Sequence, residues 1–595
     1  MKKILAFLIA ISMMIGMTAA VAETTELPRN ETLYYNGLQY GVPTSWSVIG
    51  SNQNNAMATT GNSGGSRTLM FETLYMYNML DGQLTPLLAD GPYAWNEDMT
   101  QLSVKLKDAA KWSDGTPVTA ADVSYTFDIS KRILNTAGAN YGPYIDHIEV
   151  VDDKNLIIHA ALAEDGKPIN PLIVLDFLGG ALIGQKAWIE TVEARNNNDA
   201  TAILADPGDD VVWSGPYTKL FANDQKVALV RDDNYWGQDA SMWGKLPAPK
   251  YIVHVVYADN NANMTAFKTG EVDVAQSFLA NVQDLWEKEG LPISTYMDEP
   301  PYGICANIPT AYFNMEVPVL QVKEVRKAIA MAVDYDAINQ SAMTGQSPTF
   351  AEVPRSTMNP TDGEQAAYDH EAVKDLQWVG KDYEGAKALL ESAGIVDSDG
   401  DGWREFNGEK IALNACCPNG WSDWQAAMEI VAAAGKEIGI DISTNYPEWS
   451  VYQTIFTQAS QTELDIFMYS TPSSQPSCPW GRVRWLMSSE FLGLSNNWSG
   501  NFGHWSNERI DEIIAAIPTT TDAEELKALY TEANKIYLEE VPSFGLMYRP
   551  NVFHAVNESV WTNYPENGDG RNIPPTICCD GYGIAALYDL VLVNP

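Results

Sequence analysis

The hydrophobic and polar positions between Leu84 and Phe127 first follow the period of a strand and then that of a helix. Leu102, Val104 and Leu106 alternate with polar residues, which is typical of a strand with one buried face. The next residues, WSDGTP, combine Gly and Pro in the way that tight turns require. The pattern therefore predicts a strand that ends in a turn.

The residues after this turn predict a helix. Thr119 is a favourable N-cap, and Asp122 places a negative charge in the first turn, where the helix dipole stabilises it. Val123 and Phe127 lie four residues apart and therefore share one face of the helix. Together with the preceding strand, this helix predicts a small α/β unit.

Helical periodicity recurs in the second half of the chain, over residues 319–344, 384–393, 424–438 and 507–540. Residues 50–67 are rich in Gly, Asn and Ser and predict a polar loop. Pro300 and Pro301 stiffen the chain without forming helix, which suits a crossing between two lobes. The patterns alone predict a multi-domain protein with both helices and strands.

The N-terminus has the three parts of a secretory signal: a basic MKK start, an apolar run over residues 4–17, and an A-x-A site that ends at Ala22. The apolar run is too short for a stable membrane span. No Cys precedes Cys305, so we expect no lipid anchor near the cleavage site. The sequence predicts a signal peptide over residues 1–22, cleaved before Glu23, and a periplasmic or extracellular protein.

Length and charge narrow the possible classes of protein. The chain has 595 residues, more than one hydrophobic core supports, so two or three domains are expected. Its hydrophobic content of 45% indicates a folded chain. The formal net charge of -40 repels nucleic acid and anionic lipid and argues against both as partners. The charge does not identify a ligand, because acidity also serves solubility.

Six cysteines permit disulfides in an exported chain: Cys305, Cys416, Cys417, Cys478, Cys578 and Cys579. The two doublets occur in similar settings, CCPNGW and CCDGY, and a bridge between them would tie a late loop to the second lobe. The connectivity stays open, because six cysteines allow fifteen pairings. Zinc is disfavoured, since no C-x-x-C or nearby His accompanies the cysteines.

Several blocks of sequence, in order along the chain, resemble one family. The 84–127 segment is the first, and later blocks are SGPYTKL with VALVRDDNYWG, VRKAIAMAVDYDAI, DYEGAKALLESAG and VPSFGLMYRP. They resemble the extracellular solute-binding protein family 5, the capture subunits of oligopeptide-type ABC importers, some of which bind oligosaccharides. The resemblance implies a non-enzymatic protein that delivers a small-molecule ligand to ABC transporter permease subunits.

The same resemblance implies the fold class. This is α/β, the large (cluster C) form of the type II periplasmic binding protein fold, with two lobes and an extra subdomain in the first. Two chain crossings would join the lobes, near Pro300-Pro301 and over residues 544–549. The implied boundaries are 23–64, 200–299 and 545–595 for the hinge-bearing subdomain of lobe 1, 65–199 for its second subdomain and 300–544 for lobe 2.

Tryptophan is the residue type that points to a ligand. The chain has 18, nine of them between residues 378 and 505. An indole combines a broad apolar face with one N–H donor, which suits the apolar face of a pyranose and its hydroxyls. Any one Trp can equally belong to the core. Several, however, flank polar groups, as in NGWSDW at 419–424 and NYPEWSVY at 445–452.

These two motifs, with SGNFG and SVWTNYP, resemble the branch of the family that binds β-linked oligosaccharides of the cellobiose, xylan or mannan type. A peptide binder would need a carboxylate for the α-amino group and often an Arg for the carboxylate of its ligand, and we locate no such pair. One carboxylate can accept two adjacent sugar hydroxyls. The predicted ligand-binding residues are Trp46, Asn419, Trp421, Asp423, Trp424 and Trp449.

A separate acidic segment, DSDGDGWRE, resembles the start of an EF-hand-like calcium loop. Asp397, Asp399 and Asp401 stand at positions 1, 3 and 5, with Glu405 at position 9. Position 12 is Gly408 where a bidentate Glu is required, and no second helix is predicted. The segment predicts either a polar turn or a structural calcium site; no other metal or cofactor is expected.

The residues leave three functions open. A monomeric binding protein that closes around a β-linked oligosaccharide is the principal prediction, and oligopeptide capture on the same fold is the second. A secreted glycoside hydrolase is the third, because paired carboxylates could hide among 77 acidic residues. Residues 61–65 match G-x-S-x-G, but the required strand and helix are not predicted around them, and the six His form no H-E-x-x-H.

Overall fold

The computed structural model describes residues 26–36, 42–50, 68–472, 475–550, 553–575 and 580–594. The strands over these residues are, in chain order, β1 Thr32–Asn36, β2 Tyr75–Asn78, β3 Gln83–Pro86, β4 Ala94–Trp95, β5 Gln101–Lys105, β6 Ile145–Val150, β7 Asn155–Ala160, β8 Tyr217–Ala222, β9 Lys226–Arg231, β10 Tyr251–Val255, β11 Val274–Ala275, β12 Ile293–Thr295, β13 Cys305–Asn307, β14 Thr310–Phe313, β15 Glu405–Phe406, β16 Glu409–Lys410, β17 Ala412–Cys416, β18 Asp441–Asn445, β19 Ile466–Tyr469, β20 Ser543–Gly545, β21 Arg549–Pro550, β22 Ala555–Asn557, β23 Trp561–Thr562 and β24 Val591–Leu592.

The α-helices lie between and around these strands. They are α1 Ala120–Ile133, α2 Thr136–Tyr141, α3 Pro171–Gly180, α4 Lys186–Arg195, α5 Ala200–Leu204, α6 Asn260–Lys268, α7 Asp284–Glu287, α8 Lys323–Ala332, α9 Tyr335–Ala337, α10 Asp362–Gln365, α11 Tyr383–Ser392, α12 Ser422–Glu437, α13 Trp449–Phe456, α14 Trp480–Met487, α15 Glu508–Ala516, α16 Ala523–Glu540 and α17 Ala586–Asp589. Short 3-10 or π turns cover Arg29–Glu31, Trp236–Gln238, Pro318–Gln321, Ile338–Ala342, Glu371–Leu376, Ser489–Phe491, Ile517–Thr519 and Gly581–Ala585.

The strand–turn–helix unit predicted from the 84–127 segment is confirmed. Residues along β5 alternate between exposed and buried, with Leu102 and Val104 in the core. Helix α1 starts after Thr119, whose backbone N–H donates to the carboxylate of Asp122 at 2.8 Å. This contact completes a capping box, so the local sequence determines where the helix begins.

The helical patterns in the second half are confirmed in kind, but two of them are interrupted. The 507–540 pattern forms α15 and α16, which are separated at Pro518, where the missing N–H prevents a continuous helix. The 319–344 pattern breaks after Ala332, and Asp334 caps the short helix α9 through its side chain. Each of these two patterns therefore forms several short helical segments instead of one long helix.

The three largest sheets of the described residues organise the fold. The largest has seven strands in the order β12-β22-β11-β1-β10-β9-β8, and a second, antiparallel one has four in the order β4-β5-β7-β6. The third has five strands in the order β18-β17-β19-β14-β20. In this five-stranded sheet β17 runs parallel to both β18 and β19, whereas β14 is antiparallel to its neighbours.

The chain passes twice between the seven-stranded and five-stranded sheets. The first passage leads from β12 to β14 through β13, and the second leads from β20 to β22 through β21. The two passages pair with each other, because Cys305 lies opposite Pro550 and Asn307 opposite Arg549 in an antiparallel ladder. A two-stranded connection of this kind can act as a hinge between bodies built on separate sheets.

Other contacts also join the two bodies. The Nδ2 of Asn260 at the start of α6 donates to Ser422 Oγ at the start of α12, at 3.0 Å. Gln346 Nε2 donates to the carbonyl of Leu279 at 2.9 Å. The described residues therefore adopt a conformation in which elements around the two sheets are in direct contact.

Within the described residues the first cysteine doublet forms no disulfide, and the connectivity that the sequence left open stays open. Cys416 and Cys417 are buried free thiols, and Cys416 Sγ donates to Asn414 Oδ1 at 2.8 Å. Cys416 ends β17 inside the sheet, where burial raises its pKa to about 12 and keeps it protonated. Cys578 and Cys579, like residues 61–65 and the predicted signal peptide, lie outside the described residues.

Among the helices of the described ranges, none combines the length and the apolar character that crossing a membrane requires.

Candidate functional site

Three parallel strands of the five-stranded sheet end at the same edge. The chain that leaves β17 reaches Trp421, the chain that leaves β18 reaches Trp449, and β19 itself ends at Tyr469. The carboxyl ends of parallel strands are where α/β sheets commonly bind ligands. The topology therefore gathers three aromatic residues that are far apart in the sequence at one edge.

Four aromatic rings at this edge form a nearly parallel series. The centroids of Trp421 and Trp449 are 5.3 Å apart with 20° between their planes. Trp449 and Tyr469 follow at 6.3 Å and 12°, and Tyr469 and Trp485 at 6.4 Å and 18°. All four side chains are partly exposed. We call this set, Trp421, Trp449, Tyr469 and Trp485, the ring series.

The ring series rests on buried aromatic residues. Phe502 is 1% exposed and meets Tyr469 edge-on at 5.3 Å and Trp485 edge-on at 5.4 Å. Phe456 is equally buried and contacts Tyr469 at 4.8 Å. Edge-to-face packing of this kind fixes ring orientation. The series is therefore held in place by buried neighbours, while its four side chains keep part of their apolar surface exposed.

Tyr469 adds a polar group to this apolar surface. Although the ring is partly exposed, desolvation of the hydroxyl raises its pKa to about 12, so the group stays neutral and can donate a hydrogen bond. Trp498, the most exposed Trp near the series at 39%, lies 6.2 Å from Trp449. The sequence pattern did not single out Tyr469, because its role depends on the sheet edge at which β19 ends.

Trp424, which we predicted to bind ligand, is almost fully buried. It is 1% exposed and packs edge-on against Trp421, with centroids 4.8 Å apart. Its indole N–H is buried, and within the described ranges it has no hydrogen-bond partner. Trp424 thus supports Trp421 from the core side.

Asp423 lies in the first turn of α12 and faces a cation that the sequence did not reveal. Its Oδ2 is 3.0 Å from Nε of Arg549, and the two side chains are 2% and 17% exposed. Arg549 comes from β21, one of the two strands that connect the sheets, so only the tertiary structure brings the pair together. The guanidinium also lies 4.6 Å from the ring centroid of Phe553.

Asn419 braces the loops that carry the first two rings of the series. Its backbone N–H donates to the carbonyl of Pro447 at 2.8 Å, and its Nδ2 donates to Glu448 Oε1 at 2.8 Å. Glu448 directly precedes Trp449. Asn419 is exposed, so its amide also remains accessible from solvent.

Trp46 lies apart from the other predicted residues. It is 8% exposed, its backbone N–H donates to Pro207, and Lys219 Nζ lies 5.9 Å from its ring centroid. Within the described ranges no ring contact links Trp46 to the ring series. The structure thus gathers five of the six predicted residues and leaves Trp46 in a separate buried setting.

A second tryptophan-lined groove, of about 870 Å³, lies between elements of the seven-stranded and four-stranded sheets. The indole N–H groups of its three tryptophans all donate to carboxylates of the protein itself. These pairs are Trp112 with Asp122 at 3.3 Å, Trp213 with Asp232 at 3.1 Å, and Trp236 with Glu72 at 2.8 Å. Their donors are already used, so we place the candidate site at the ring series.

The acidic segment forms a compact loop. One oxygen from each of Asp397, Asp399, Asp401 and Glu405 lies within 4.8 Å of the others, a spread that fits calcium ligation. The same carboxylates accept backbone N–H groups of the loop, as Asp397 does from Gly400 at 2.7 Å. The chain continues into the β15–β16 hairpin instead of a second helix. A calcium ion in this loop stays a prediction.

Comparison with known proteins identifies relatives over most of the chain. The family model of bacterial extracellular solute-binding proteins, family 5, matches residues 83–490. The periplasmic oligopeptide-binding protein OppA of Escherichia coli is 25% identical, over 78% of this chain and 79% of that protein. A probable peptide-binding protein of Agrobacterium fabrum, YejA, is 30% identical, but over only 44% of this chain and 42% of its own length.

Solved structures match nearly the whole chain. A periplasmic oligopeptide-binding protein of Thermotoga maritima, crystallised with mannohexaose, superposes with a TM-score of 0.82 at 24% identity, covering 96% of this chain and 100% of that one. The oligopeptide-binding protein AppA of Bacillus subtilis, in complex with a nonapeptide, gives a TM-score of 0.71 at 16% identity, covering 94% and 99%.

Proposed function

Because this chain belongs to the bacterial extracellular solute-binding proteins of family 5, we propose that it captures a β-linked oligosaccharide and delivers it to an ABC permease. Its fold is the large, two-lobed α/β form of the type II periplasmic binding protein. Members of the family bind solutes for ABC importers and are not enzymes, so the glycoside hydrolase alternative is not retained.

The ring series is the observation that carries the saccharide proposal. Trp421, Trp449 and Tyr469 present nearly parallel rings at successive centroid distances of 5.3 and 6.3 Å. The apolar faces of successive pyranose units repeat on a similar scale along an extended β-linked chain. Flat faces of this kind bind sugars through their C–H surface while the hydroxyls seek polar groups at the rim.

The charges near the ring series favour a neutral ligand over a peptide. The charge of Asp423 is already balanced by Arg549, so its carboxylate offers little net attraction to the α-amino group of a peptide. The segment that leaves β19, residues 470–479, contains no acidic residue. Neither Asp423 nor this segment therefore offers an unpaired carboxylate to the ammonium group of a zwitterionic ligand, whose burial without an opposite charge is unfavourable.

Closure of two bodies around the sugar would exclude water from these contacts. The paired strands β13 and β21 form the connection about which the bodies would move. Direct contacts such as Asn260 with Ser422 would then form at the edge of the cleft. Exclusion of water strengthens each hydroxyl contact, because the sugar no longer exchanges it for a bond to solvent.

The comparisons support both this proposal and its rival. The Thermotoga maritima protein contains mannohexaose, which favours a saccharide. Oligopeptide capture is the second candidate, because OppA of Escherichia coli and AppA of Bacillus subtilis are named as oligopeptide-binding proteins. We further propose that the chain is exported through a signal peptide cleaved after Ala22 and binds its ligand as a monomer.

Tryptophan fluorescence separates the two ligand classes. The mature protein should be titrated in parallel with cello-, xylo- and manno-oligosaccharides and with di- to nonapeptides. We expect a saturable change with at least one β-linked saccharide and none with peptides, because bound sugar changes the surroundings of the ring series. A saturable response to peptides alone would contradict the saccharide proposal and leave the family assignment intact.

A further inference from the structure

Arg549 occupies an unusual position for a cation. It lies on β21, one of the two paired strands that connect the sheets, opposite Asn307 on the other. Its side chain reaches Asp423, in the first turn of α12, from outside the five-stranded sheet. The Arg549–Asp423 pair thus links the connecting strands to the helix that follows Trp421.

The geometry of this pair leaves hydrogen-bonding capacity. Arg549 Nε and Asp423 Oδ2 are 3.0 Å apart, yet their angles do not make a hydrogen bond. Both atoms are buried, and over the described ranges neither has another hydrogen-bond partner. A buried donor and a buried acceptor side by side, both unsatisfied, are unfavourable unless a third group bonds to them.

A third unsatisfied polar group belongs to Trp424, the residue that follows Asp423 in α12. The indole N–H of Trp424 is buried at a residue only 1% exposed, and it too is without a partner in the described part of the chain. Trp424 in turn packs against Trp421 of the ring series. Two consecutive residues of α12 thus each carry an unsatisfied buried polar atom: Asp423 beside the connecting strand, and Trp424 in a ring that packs against Trp421.

We infer that Arg549 and Asp423 together recognise two adjacent hydroxyl groups of the bound saccharide. One hydroxyl donates to Asp423 Oδ2, and its neighbour accepts from Arg549 Nε. A vicinal diol offers a donor and an acceptor at the spacing of two adjacent oxygens, which matches the 3.0 Å separation of the two protein atoms. This inference rests on the proposed saccharide function and adds the group that is recognised.

The position of Arg549 has a second consequence. A ligand that bonds to Arg549 touches the connecting strand itself, in addition to the five-stranded body. Contact with the connection favours the conformations in which β21 and α12 are close, because binding stabilises the state that completes its contacts. Arg549 is therefore a binding residue that also couples ligand to lobe closure.

The test of the Arg549–Asp423 pair combines variants of the protein with an analogue of the sugar that lacks one hydroxyl group. The wild-type protein, Arg549→Gln and Asp423→Asn are titrated by fluorescence with the saccharide that the wild type binds and with its 2-deoxy analogue. We expect the wild type to bind the 2-deoxy analogue roughly 10- to 100-fold more weakly than the parent sugar. In Arg549→Gln the difference in affinity between the two sugars should fall to less than about threefold, because the group that bonds to the hydroxyl is removed.

Arg549→Lys controls for folding. Lysine preserves the charge opposite Asp423 but lacks the Nε donor, so the melting temperature should stay near that of the wild type while affinity falls at least about fivefold. Arg509→Lys, at an exposed Arg that pairs with Glu512 and Glu532, is the matched control and should change neither quantity.

The outcomes separate this inference from the function on which it rests. Unchanged affinity and unchanged preference for the 2-hydroxyl in folded Arg549→Gln and Arg549→Lys would overturn the inference alone. A wild-type protein that binds no saccharide would overturn the proposed function, and the inference with it. X-ray scattering with and without ligand adds an independent readout: we expect less compaction in Arg549→Gln at saturating sugar than in the wild type.

Discussion

The backbone N–H of Ser477 donates a 2.8 Å hydrogen bond to Oδ1 of Asp176. Asp176 belongs to α3, which follows the four-stranded sheet, whereas Ser477 precedes α14 beside the five-stranded sheet. Burial raises the pKa of Asp176 to about 7, and Tyr77, Tyr141 and Cys478 are the titratable groups that face it. The contact joins elements next to the four-stranded and five-stranded sheets through a carboxyl group that titrates near neutral pH.

Ligand affinity should therefore depend on pH through Asp176. If closure buries this carboxyl, the closed form has the higher pKa and takes up a proton. Its contribution is complete below about pH 4, declines as pH rises towards about 7, and is absent above that value. We expect the dissociation constant measured by fluorescence to rise by about tenfold or more between pH 5 and 7.5 and then to level off.

Asp176→Asn provides the control for this pH dependence. The amide keeps an oxygen that can accept from Ser477 and does not titrate, so its binding curve should lose the rise between pH 5 and 7.5. A variant that keeps the full wild-type pH dependence would show that another group is responsible.

Removal of one ring from the series should weaken binding. For Trp449→Ala we expect roughly a 10- to 100-fold higher dissociation constant for the saccharide, because a broad stacking surface is lost. Trp449 also contacts Trp421 and Tyr469, so the melting temperature should be recorded with it. Trp403→Ala, whose ring packs 4.4 Å from Lys410 Nζ, should leave affinity unchanged. Equal affinities for wild type and Trp449→Ala would argue against the ring series as the site.

Glu72 should make stability depend on pH. This carboxyl is completely buried, accepts from Tyr235 at 2.5 Å and from Trp236 at 2.8 Å, and has its pKa raised by burial to about 8. The stability it contributes is complete below about pH 4.5 and falls as pH rises through about 8. Relative to wild type, Glu72→Gln should gain on the order of 3 kcal/mol in unfolding free energy between pH 5 and 8.5. Urea unfolding at both pH values measures this difference, and parallel curves would contradict it.

Asn419 should act on affinity through the loops it braces. Because it is exposed, Asn419→Ala should cost at most about 1 kcal/mol of stability. Loss of its contacts with Glu448 should loosen the spacing between Trp421 and Trp449 and raise the dissociation constant roughly three- to tenfold. Gln458→Ala, at an exposed amide just after α13 that donates to the carbonyl of Thr454, serves as the matched control. A variant with unchanged affinity would show that the brace is dispensable.

Local sequence and tertiary structure contributed differently to these results. The β5 strand, the turn after it and the Thr119 cap follow from neighbouring residues, because alternation, turn chemistry and capping act over a few positions. The richness in tryptophan around 419–452 likewise pointed to the region of the site. The separate roles of Trp421 and Trp424 did not follow from the sequence. The two residues are three positions apart at the start of α12, and packing against the core decides which of their rings is buried.

The sequence by itself determined the class of the molecule, its local elements and the residue types available for a ligand. Only the tertiary structure decided that Tyr469 joins the two tryptophans and that Arg549 reaches Asp423. The first depends on parallel strands ending at one sheet edge, and the second on a connecting strand that returns from the far end of the chain. Contacts between residues so far apart in the chain leave no local pattern in the sequence, because they are made by the packing of whole sheets.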